Sequence, residues 1–186
     1  MGNDDKRCGS SGCILWFTGL SASGKTTLCT ALARSLAERD CSHVVLDGDV
    51  IRQTISSDLG FSRADRDENI RRIGALAFSH ANAGSVVLVA AISPYRELRE
   101  GLRRASAVPF FEVFVDAPLS VCEARDPKGL YRRARTGAII GFTGIDDVYE
   151  VPEAPDVHCL TAQESVQESC AKLIAVVQPW LARKGR

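Results

Sequence analysis

One glycine-rich segment carries the residue types that bind a chain of phosphates. Gly19 to Thr26 reads Gly-Leu-Ser-Ala-Ser-Gly-Lys-Thr, which has the spacing G-x-x-x-x-G-K-[S/T]. In such a loop the backbone N–H groups point at phosphate oxygens, Lys25 reaches the β- and γ-phosphates, and the Thr26 hydroxyl contacts Mg²⁺. The apolar run Ile14 to Phe17 precedes this phosphate loop and a helical pattern follows it. The context predicts a nucleotide site; a Gly/Ser-rich connector with a chance lysine is the alternative.

A carboxylate is also needed nearby, to orient the metal ion and to accept a proton from the attacking hydroxyl. The apolar run Val86 to Ile92 ends in Ser93-Pro94 and offers no acid. Asp47 directly follows the run Val44 to Leu46, and the carboxyl end of a strand in an open α/β sheet faces the ligand crevice. We therefore predict that Asp47 holds Mg²⁺ together with Thr26 and acts as general base. A solvated Asp-Gly turn is the alternative.

A further set of polar residues is expected on a helix beside the same crevice. Ser62 and Asp65 have the spacing of a capping box, which predicts a helix from about Arg63. Arg66 and Asn69 continue its apolar stripe by one turn, because residues three and four apart share a helix face. They offer hydrogen-bond donors to an anion; an arginine that merely covers the edge of the core is the alternative. The stripe itself consists of Ile70, Ile73, Ala77 and Ala81.

Apolar runs separated by helical patterns predict the elements that position these residues. Such runs are typical of strands buried on both faces, and their alternation with helices predicts a parallel sheet covered on both sides. We predict an α/β fold of three layers around a mainly parallel, five-stranded sheet, with a last helix that carries an apolar stripe from Val166 to Leu181. The predicted strands are Ile14 to Phe17, Val44 to Leu46, Val86 to Ile92, Phe110 to Val115 and Val157 to Leu160.

Residues 126–155 have a different character from the rest of the chain. They contain four glycines and end in Pro152 and Pro155, which makes a poor core element. A mobile lid over the site is the prediction, and a solvated surface excursion is the alternative. The basic side chains available to close over a phosphoryl group are Lys128, Arg132, Arg133 and Arg135.

Composition narrows the class of protein. A chain of 186 residues, 45% of them apolar, predicts one domain over residues 1–186 with a flexible tail at residues 1–11. Lys plus Arg and Asp plus Glu are 23 each, so we expect no nucleic-acid or membrane partner. The sequence has no membrane-length apolar run and no signal-peptide core, which predicts a cytoplasmic location. No Asn-Lys-x-Asp motif for guanine occurs, which favours ATP as the donor.

The cysteines give little functional indication. There are seven, without the spacing of a zinc site, and free thiols are the prediction. A regulatory disulfide that involves Cys8 or Cys13 is left open.

From roughly Cys13 to Pro155 the chain resembles the adenylylsulfate kinase (APS kinase) family. The resemblance rests on the phosphate loop and on six further segments in the family's order, which are together far more specific than the loop alone. The chain has Ala22 where the family commonly has Gly. The six segments are Leu46 to Arg52, Gly60 to Ser62, Asp65 to Arg72, Ile92 to Arg96, Arg125 to Tyr131 and Gly141 to Asp147.

This resemblance implies a phosphate-loop kinase fold and transfer of the ATP γ-phosphoryl group to the 3′-hydroxyl of adenosine 5′-phosphosulfate, with Mg²⁺. The implied catalytic residues are Lys25, Asp47 and Ser93, and the metal residues are Thr26 and Asp47. The implied ATP contacts are Gly19, Ser21, Ala22, Ser23, Gly24, Lys25, Thr26, Thr27 and Arg132. The implied adenylylsulfate contacts are Asp49, Arg52, Phe61, Arg66, Asn69, Ile92, Ser93, Lys128, Leu130, Gly141 and Phe142.

Physical chemistry agrees with part of that assignment. Phe61 and Phe142 could hold a purine between their ring faces, while Arg52, Arg66 and Asn69 could hold the phosphosulfate. The family pattern places a phosphoserine at Ser93, but direct in-line transfer needs only positioning and charge neutralisation, and we expect no covalent step.

The resemblance also implies a homodimer and leaves open a separate ATP sulfurylase as partner. One rival function is a kinase for another small hydroxylated anion. The other is a non-catalytic protein, either a nucleotide-binding switch or a kinase-like subunit that only recruits a sulfurylase.

Overall fold

The computed structural model describes residues 12–181, so the predicted tail and Cys8 lie outside it. None of the helices in this range is long and apolar enough to cross a bilayer. The strands are β1 (Cys13–Thr18), β2 (His43–Asp47), β3 (Val86–Ala90), β4 (Phe110–Asp116) and β5 (Val157–Leu160). The helices are α1 (Lys25–Ala37), α2 (Gly48–Gln53), α3 (Arg63–Asn82), α4 (Arg96–Ala105), α5 (Leu119–Arg125), α6 (Leu130–Arg135) and α7 (Val166–Leu181).

The sheet is parallel throughout, with the strand order β2-β3-β1-β4-β5. This confirms the predicted five-stranded parallel sheet. The prediction that all strands are buried on both faces is wrong for the edges: Val45 of β2 is 42% exposed, and His158 of β5 is exposed. An edge strand has a neighbour on one side only, so its outer flank is open to solvent. β3 ends at Ala90 rather than at Ile92.

Side chains of the central strand β1 alternate between two cores. Leu15 and Phe17 pack in one cluster with residues of α1 and α7. Ile14 and Trp16 pack on the opposite face with residues of α3 and α4. This alternation follows from the two-residue repeat of a strand. The sheet is thus held between two helical layers, as the sequence predicts.

The start of α3 is fixed by its cap. The Ser62 hydroxyl accepts the backbone N–H of Asp65 at 3.2 Å and donates to the Asp65 carboxylate at 2.6 Å. This confirms the predicted helix start with Ser62 as its N-cap, which typically stabilises a helix by about 1 kcal/mol. The Asp65 carboxylate meets the Ser62 hydroxyl, whereas in a full capping box it accepts the backbone N–H of the capping residue. The predicted stripe is buried: Ile70, Ile73, Ala77 and Ala81. The residue at which α3 begins determines which of its side chains lie on the same face as this stripe.

A buried arginine joins α4 to three other segments. Arg99 is 1% exposed, and its Nε donates to the Glu112 carboxylate of β4 at 2.6 Å. Its two terminal nitrogens donate to the backbone carbonyls of Ser93 and Glu150, each at 2.7 Å. A buried charge is tolerated only when it is paired and hydrogen-bonded in this way. Arg99 therefore anchors the segment after β3 and the segment around Glu150 to the sheet.

Arg99→Met should lower the free energy of unfolding by about 3–5 kcal/mol, because it leaves the Glu112 carboxylate without its closest partner in a buried position. Urea denaturation measures the change. The matched control is Arg104→Met, since Arg104 is exposed on the same helix and its loss should change stability by less than about 0.5 kcal/mol. Equal effects of the two variants would contradict the role given to Arg99.

Candidate active site

A cavity of about 1160 Å³ opens at the carboxyl ends of β1, β2 and β3. It exceeds the roughly 300–1,000 Å³ of a pocket for one small ligand. Its walls come from the phosphate loop, the starts of α2 and α3, the segment after β3, and residues 125–143. Predicted site residues on its lining are Ser21, Ala22, Gly24, Lys25, Thr26, Thr27, Asp47, Asp49, Arg52, Phe61, Arg66, Asn69, Ile92, Ser93, Lys128, Leu130 and Phe142.

Four predicted site residues do not line this cavity: Gly19, Ser23, Arg132 and Gly141. Gly19 and Ser23 belong to the phosphate loop but lie off the cavity surface. The carbonyl of Gly141 accepts a hydrogen bond from the Arg66 guanidinium. The Arg132 backbone N–H donates to the Asp126 carboxylate at 3.0 Å. The neighbouring Arg133 lies on the lining instead, while Arg135 pairs with Glu123 at 2.5 Å.

The phosphate loop has a backbone that side chains rarely allow. Gly19 has φ 152°, Ala22 has φ 58° and Gly24 has φ 106°. A Cβ at Gly19 would lie 2.3 Å from the Val115 carbonyl oxygen, so only glycine fits against β4 there. Ala22 adopts the left-handed conformation although it has a Cβ, which costs roughly 1–2 kcal/mol. The loop thus turns its backbone into the start of α1, where the helix dipole favours an anion.

Lys25 contacts the backbone of the phosphate loop. Its ammonium group donates to the carbonyls of Gly19 at 3.0 Å and Leu20 at 2.7 Å. Burial lowers its pKa from the ordinary value to about 8, and the Asp49 carboxylate opposes that shift. An anionic phosphate chain at the loop would give this buried cation a charged partner close to its ammonium group.

Thr26 and Asp47 meet at the edge of the sheet. The Thr26 hydroxyl donates to Asp47 Oδ2 at 2.9 Å, and Asp47 Oδ1 accepts the backbone N–H of Asp49 at 2.9 Å. A hydroxyl and a carboxylate are the oxygen ligands that Mg²⁺ takes, together with waters and substrate phosphates. Residues 12–181 contain no cluster of three or more His, Cys, Asp or Glu side chains that could hold a metal alone. The pair fits an ion that arrives with a nucleotide.

Two aromatic rings also line the cavity. Phe61 is 68% exposed and carries the Arg52 guanidinium at 4.7 Å from its ring centre. Phe142 is largely buried but still lines the cavity, and its ring meets the Tyr131 ring edge to face with 5.1 Å between the ring centres. An exposed ring and a buried ring on one lining offer apolar faces to a flat, aromatic ligand.

Arg66 makes several contacts that the sequence did not predict. Its three guanidinium nitrogens contact the carbonyls of Phe61 and Gly141, the Thr143 hydroxyl and the Asp147 carboxylate, the last at 3.1 Å. Arg66 therefore joins the segment that bears Phe61 to the loop that bears Phe142. The helical pattern predicts which face Arg66 lies on, but it carries no information about a partner about 75 residues away.

Within residues 12–181, Asn69 has an unused hydrogen-bond acceptor, whereas Lys128 already forms an ion pair. Asn69 is buried, and its Oδ1 has no hydrogen-bond partner among the described residues although it lies on the lining. A buried polar atom without a partner is costly, so this oxygen is available to a ligand. Lys128 pairs with Asp49 across the mouth of the cavity, and both side chains are exposed.

Ser93 is positioned by the protein interior. It is 2% exposed, and its hydroxyl oxygen accepts the Trp16 indole N–H at 3.0 Å. Its backbone has φ 41°, in the left-handed region, where the carbonyl is held by Arg99. The hydroxyl is thus engaged on the core side of the cavity wall.

Three further residues hold the phosphate loop and were not predicted as site residues. Arg125 donates to the carbonyls of Ala22 at 3.3 Å and of Thr161 at 2.6 Å. The Thr161 hydroxyl donates to the Ser23 carbonyl at 2.6 Å, and the Tyr131 hydroxyl donates to the Ser21 carbonyl at 3.0 Å. Arg125 and Tyr131 begin and end one of the recognised segments, which was an available signal. Thr161 follows β5 without any motif.

Cys13, which the sequence left open for a regulatory disulfide, is fully buried in β1. Burial in the central strand removes the access to oxidants and partners that such a role needs.

The sequence was compared with models of known protein families and with curated proteins. Residues 11–160 match the model of the adenylylsulphate kinase family. The chain belongs to that family. It is 56% identical over 166 residues to the adenylyl-sulfate kinase of Synechococcus sp. (strain JA-3-3Ab), which covers 89% of this chain and 93% of the relative. It is 52% identical to that of Geotalea daltonii over 93% of this chain and 86% of the relative.

Solved structures agree with this membership. The APS kinase of Mycobacterium tuberculosis, in a complex with AMPPNP and APS, has a TM-score of 0.86 and 45% identity, over 90% of this chain and 98% of its own. A hexameric APS kinase from Thiobacillus denitrificans has a TM-score of 0.68 and 32% identity over 92% of this chain and 29% of its own. A gluconokinase from Sinorhizobium meliloti, 18% identical, shares the fold with a TM-score of 0.54.

Arg66→Lys should loosen the loop at residues 141–147, because an ammonium group cannot reproduce the contacts of a guanidinium fork. Hydrogen bonds to a charged group contribute about 1.5–3 kcal/mol each. Backbone amides of the loop should therefore exchange hydrogen at least about tenfold faster, as measured by mass spectrometry. Arg71→Lys is the control, since Arg71 is exposed on the same helix and pairs with Glu68 at 3.6 Å; in this variant the loop should exchange as in the parent. Unchanged exchange in Arg66→Lys would show that the loop is held by other contacts.

Proposed function

We propose that this chain transfers the γ-phosphoryl group of ATP to the 3′-hydroxyl of adenosine 5′-phosphosulfate, giving 3′-phosphoadenylylsulfate and ADP. The observation that carries the proposal is one cavity lined by a phosphate loop, by the rings of Phe61 and Phe142 (the aromatic wall) and by Asp47. The M. tuberculosis relative, with its complex of AMPPNP and APS, supports the same pair of ligands.

The donor half of the reaction follows from the phosphate loop. ATP would place its β- and γ-phosphates against the backbone of the loop and the start of α1, where Lys25 exchanges its two carbonyl contacts for phosphate oxygens. The charge of Lys25 then offsets the negative charge that develops on the transferred group. Thr26 and Asp47 would hold Mg²⁺, which supplies charge neutralisation to the β- and γ-phosphates when it is bound.

Asp47 is the proposed general base. As the 3′-oxygen attacks, a bond forms between it and the γ-phosphorus, the bond from phosphorus to the ADP oxygen breaks, and the hydroxyl proton passes to Asp47. The Asp47 carboxylate is held from both sides by the Thr26 hydroxyl and the Asp49 N–H. This fixed orientation aims the carboxylate without the need for a further base.

The acceptor half is proposed for the aromatic wall. Phe61 and Phe142 would contact the adenine base, and the free Oδ1 of Asn69 would accept a hydrogen bond from the ligand. Arg52, Asp49, Ile92, Lys128 and Leu130 lie on the same lining. Since Arg66 is occupied by the loop that bears Phe142, its contribution to phosphosulfate binding would come mainly through its charge and through the position of that loop.

Direct transfer, without a phosphoserine, is the proposed route. Ser93 is 2% exposed and its hydroxyl oxygen lies 3.0 Å from the Trp16 indole nitrogen, so a phosphoryl group could reach it only if the packing around it moved. In-line attack by the 3′-hydroxyl needs no such rearrangement.

Other expectations stay predictions at this point. They are Mg²⁺ as the metal, a homodimer, a separate ATP sulfurylase as partner, a mobile lid at residues 126–155 and a cytoplasmic location.

The primary test is ADP release from ATP and Mg²⁺ with purified protein in the presence of adenylylsulfate, AMP, adenosine, shikimate or gluconate. We expect rapid release with adenylylsulfate alone. Asp47→Asn keeps the helix cap but cannot accept the proton, so kcat should fall by about 10²–10⁴-fold. The control Asp58→Asn removes a surface carboxylate that pairs with Arg72 and should leave kcat unchanged. Turnover with a different acceptor, or with none, would contradict the proposal.

Ser93→Ala should keep kcat within about tenfold of the parent, because the serine hydroxyl is expected to take no part in a covalent step. Incubation with γ-³²P-labelled ATP followed by a chase should trap no phosphoserine in the parent protein. A labelled Ser93 that passes its phosphate to adenylylsulfate would overturn direct transfer.

A further inference from the structure

Tyr131 contacts both the phosphate loop and Phe142. It is 2% exposed in α6, and its hydroxyl donates to the Ser21 carbonyl of the phosphate loop at 3.0 Å. The same ring meets Phe142 at 5.1 Å and 83°, an edge-to-face contact. One rigid side chain thus spans from the donor loop to the aromatic wall.

The surroundings of Tyr131 form a small core of their own. Ala117, Cys122, Tyr131, Ala134 and Phe142 are its buried members, and Leu20 and Ala22 of the phosphate loop pack against it, as does Ile145. The two loops also approach each other directly, since a Cβ at Gly144 would lie 2.9 Å from the Leu20 side chain. A packed cluster of this kind transmits displacement because it has little free volume. The phosphate loop and the loop at residues 141–147 are therefore mechanically joined.

The hydroxyl of Tyr131 is not required to fold its own helix. The start of α6 is already fixed by Asp126, whose carboxylate accepts the backbone N–H groups of Tyr131 at 3.1 Å and Arg132 at 3.0 Å. The bond to Ser21 instead reaches from α6 to the phosphate loop. Its effect is to make the position of the ring depend on the position of that loop.

We propose that Tyr131 is a positioning residue that couples the two substrates, so that a nucleotide triphosphate on the phosphate loop strengthens binding of the acceptor against Phe142. This rests on the proposed function. Phosphates that fix the phosphate loop fix the Ser21 carbonyl, the carbonyl fixes the Tyr131 ring, and the ring supports Phe142 on the acceptor wall. Coupling of this kind is reciprocal, so the acceptor must strengthen triphosphate binding by the same factor.

The test measures the affinity for adenylylsulfate by titration calorimetry, with and without saturating AMPPNP, which binds without reacting. In the parent protein AMPPNP should raise the affinity at least about fivefold. In Tyr131→Phe, which keeps the ring and loses the hydroxyl, this ratio should fall to below about twofold. Binding of each ligand alone should change less than about threefold. A merely structural role would weaken each single affinity and leave the ratio unchanged.

Ser106→Ala is the control, since it removes a hydroxyl that bonds to the Val108 carbonyl at 2.8 Å in the turn after α4, which belongs to neither loop. Its ratio should equal that of the parent. An unchanged ratio in Tyr131→Phe, or no coupling in the parent, would overturn the proposal. Failure of the parent to bind adenylylsulfate at all would instead overturn the proposed function, so the two failures are distinguishable.

A measurement on the parent protein does not depend on the stability of any variant. Hydrogen exchange of residues 139–147 should slow at least about threefold on addition of AMPPNP alone, because the triphosphate should order the acceptor wall before the acceptor binds. Equal exchange with and without AMPPNP would contradict coupling through Tyr131.

Discussion

The parallel register of β2, β3 and β1 is the constraint on which the site depends. Asp47 pairs with Ala90, and Ala90 pairs with Phe17, so three strands end at the same edge of the sheet. A different part of the site follows each strand: the Asp47 carboxylate, for which the metal and base roles are proposed, the Ser93 segment, and the phosphate loop. A shift of one residue would turn Asp47 to the other face and separate it from Thr26. Burial of Leu15, Trp16 and their neighbours on both faces of the sheet fixes that register.

The acceptor side depends on a different kind of interaction. The loop at residues 141–147 has no strand to hold it, and it is positioned by polar contacts from Arg66 and by packing against Tyr131. Arg99 fixes the segment around Glu150 in a comparable way. One half of the cavity is therefore part of the rigid sheet, whereas the other half is held by a few long side chains. This division suits a kinase that must bind two substrates and exclude water from the bond that is transferred.

The sequence was sufficient for the sheet, the helix cap and the placement of Asp47, because these follow from local periodicity and from the rule that strand ends face the crevice. It was insufficient where partners are distant. The contacts of Arg66 with Gly141 and of Thr161 with Ser23 depend on how loops fold over the sheet, and no local pattern encodes them. The exposure of Val45 was missed because strand order, which decides which strands lie at an edge, is not readable from hydrophobic runs alone.

Attack by the 3′-hydroxyl is tested by comparing adenosine 5′-phosphosulfate with its 3′-deoxy analogue as acceptor of γ-³²P from ATP. The two ligands differ by the single hydroxyl that is proposed to attack, so the aromatic wall should bind both with similar affinity. Labelled 3′-phosphoadenylylsulfate should form from the first, and no label should pass to the second. Transfer to the 3′-deoxy analogue at a comparable rate would contradict attack by the 3′-hydroxyl, because phosphate would then be passing to a different atom.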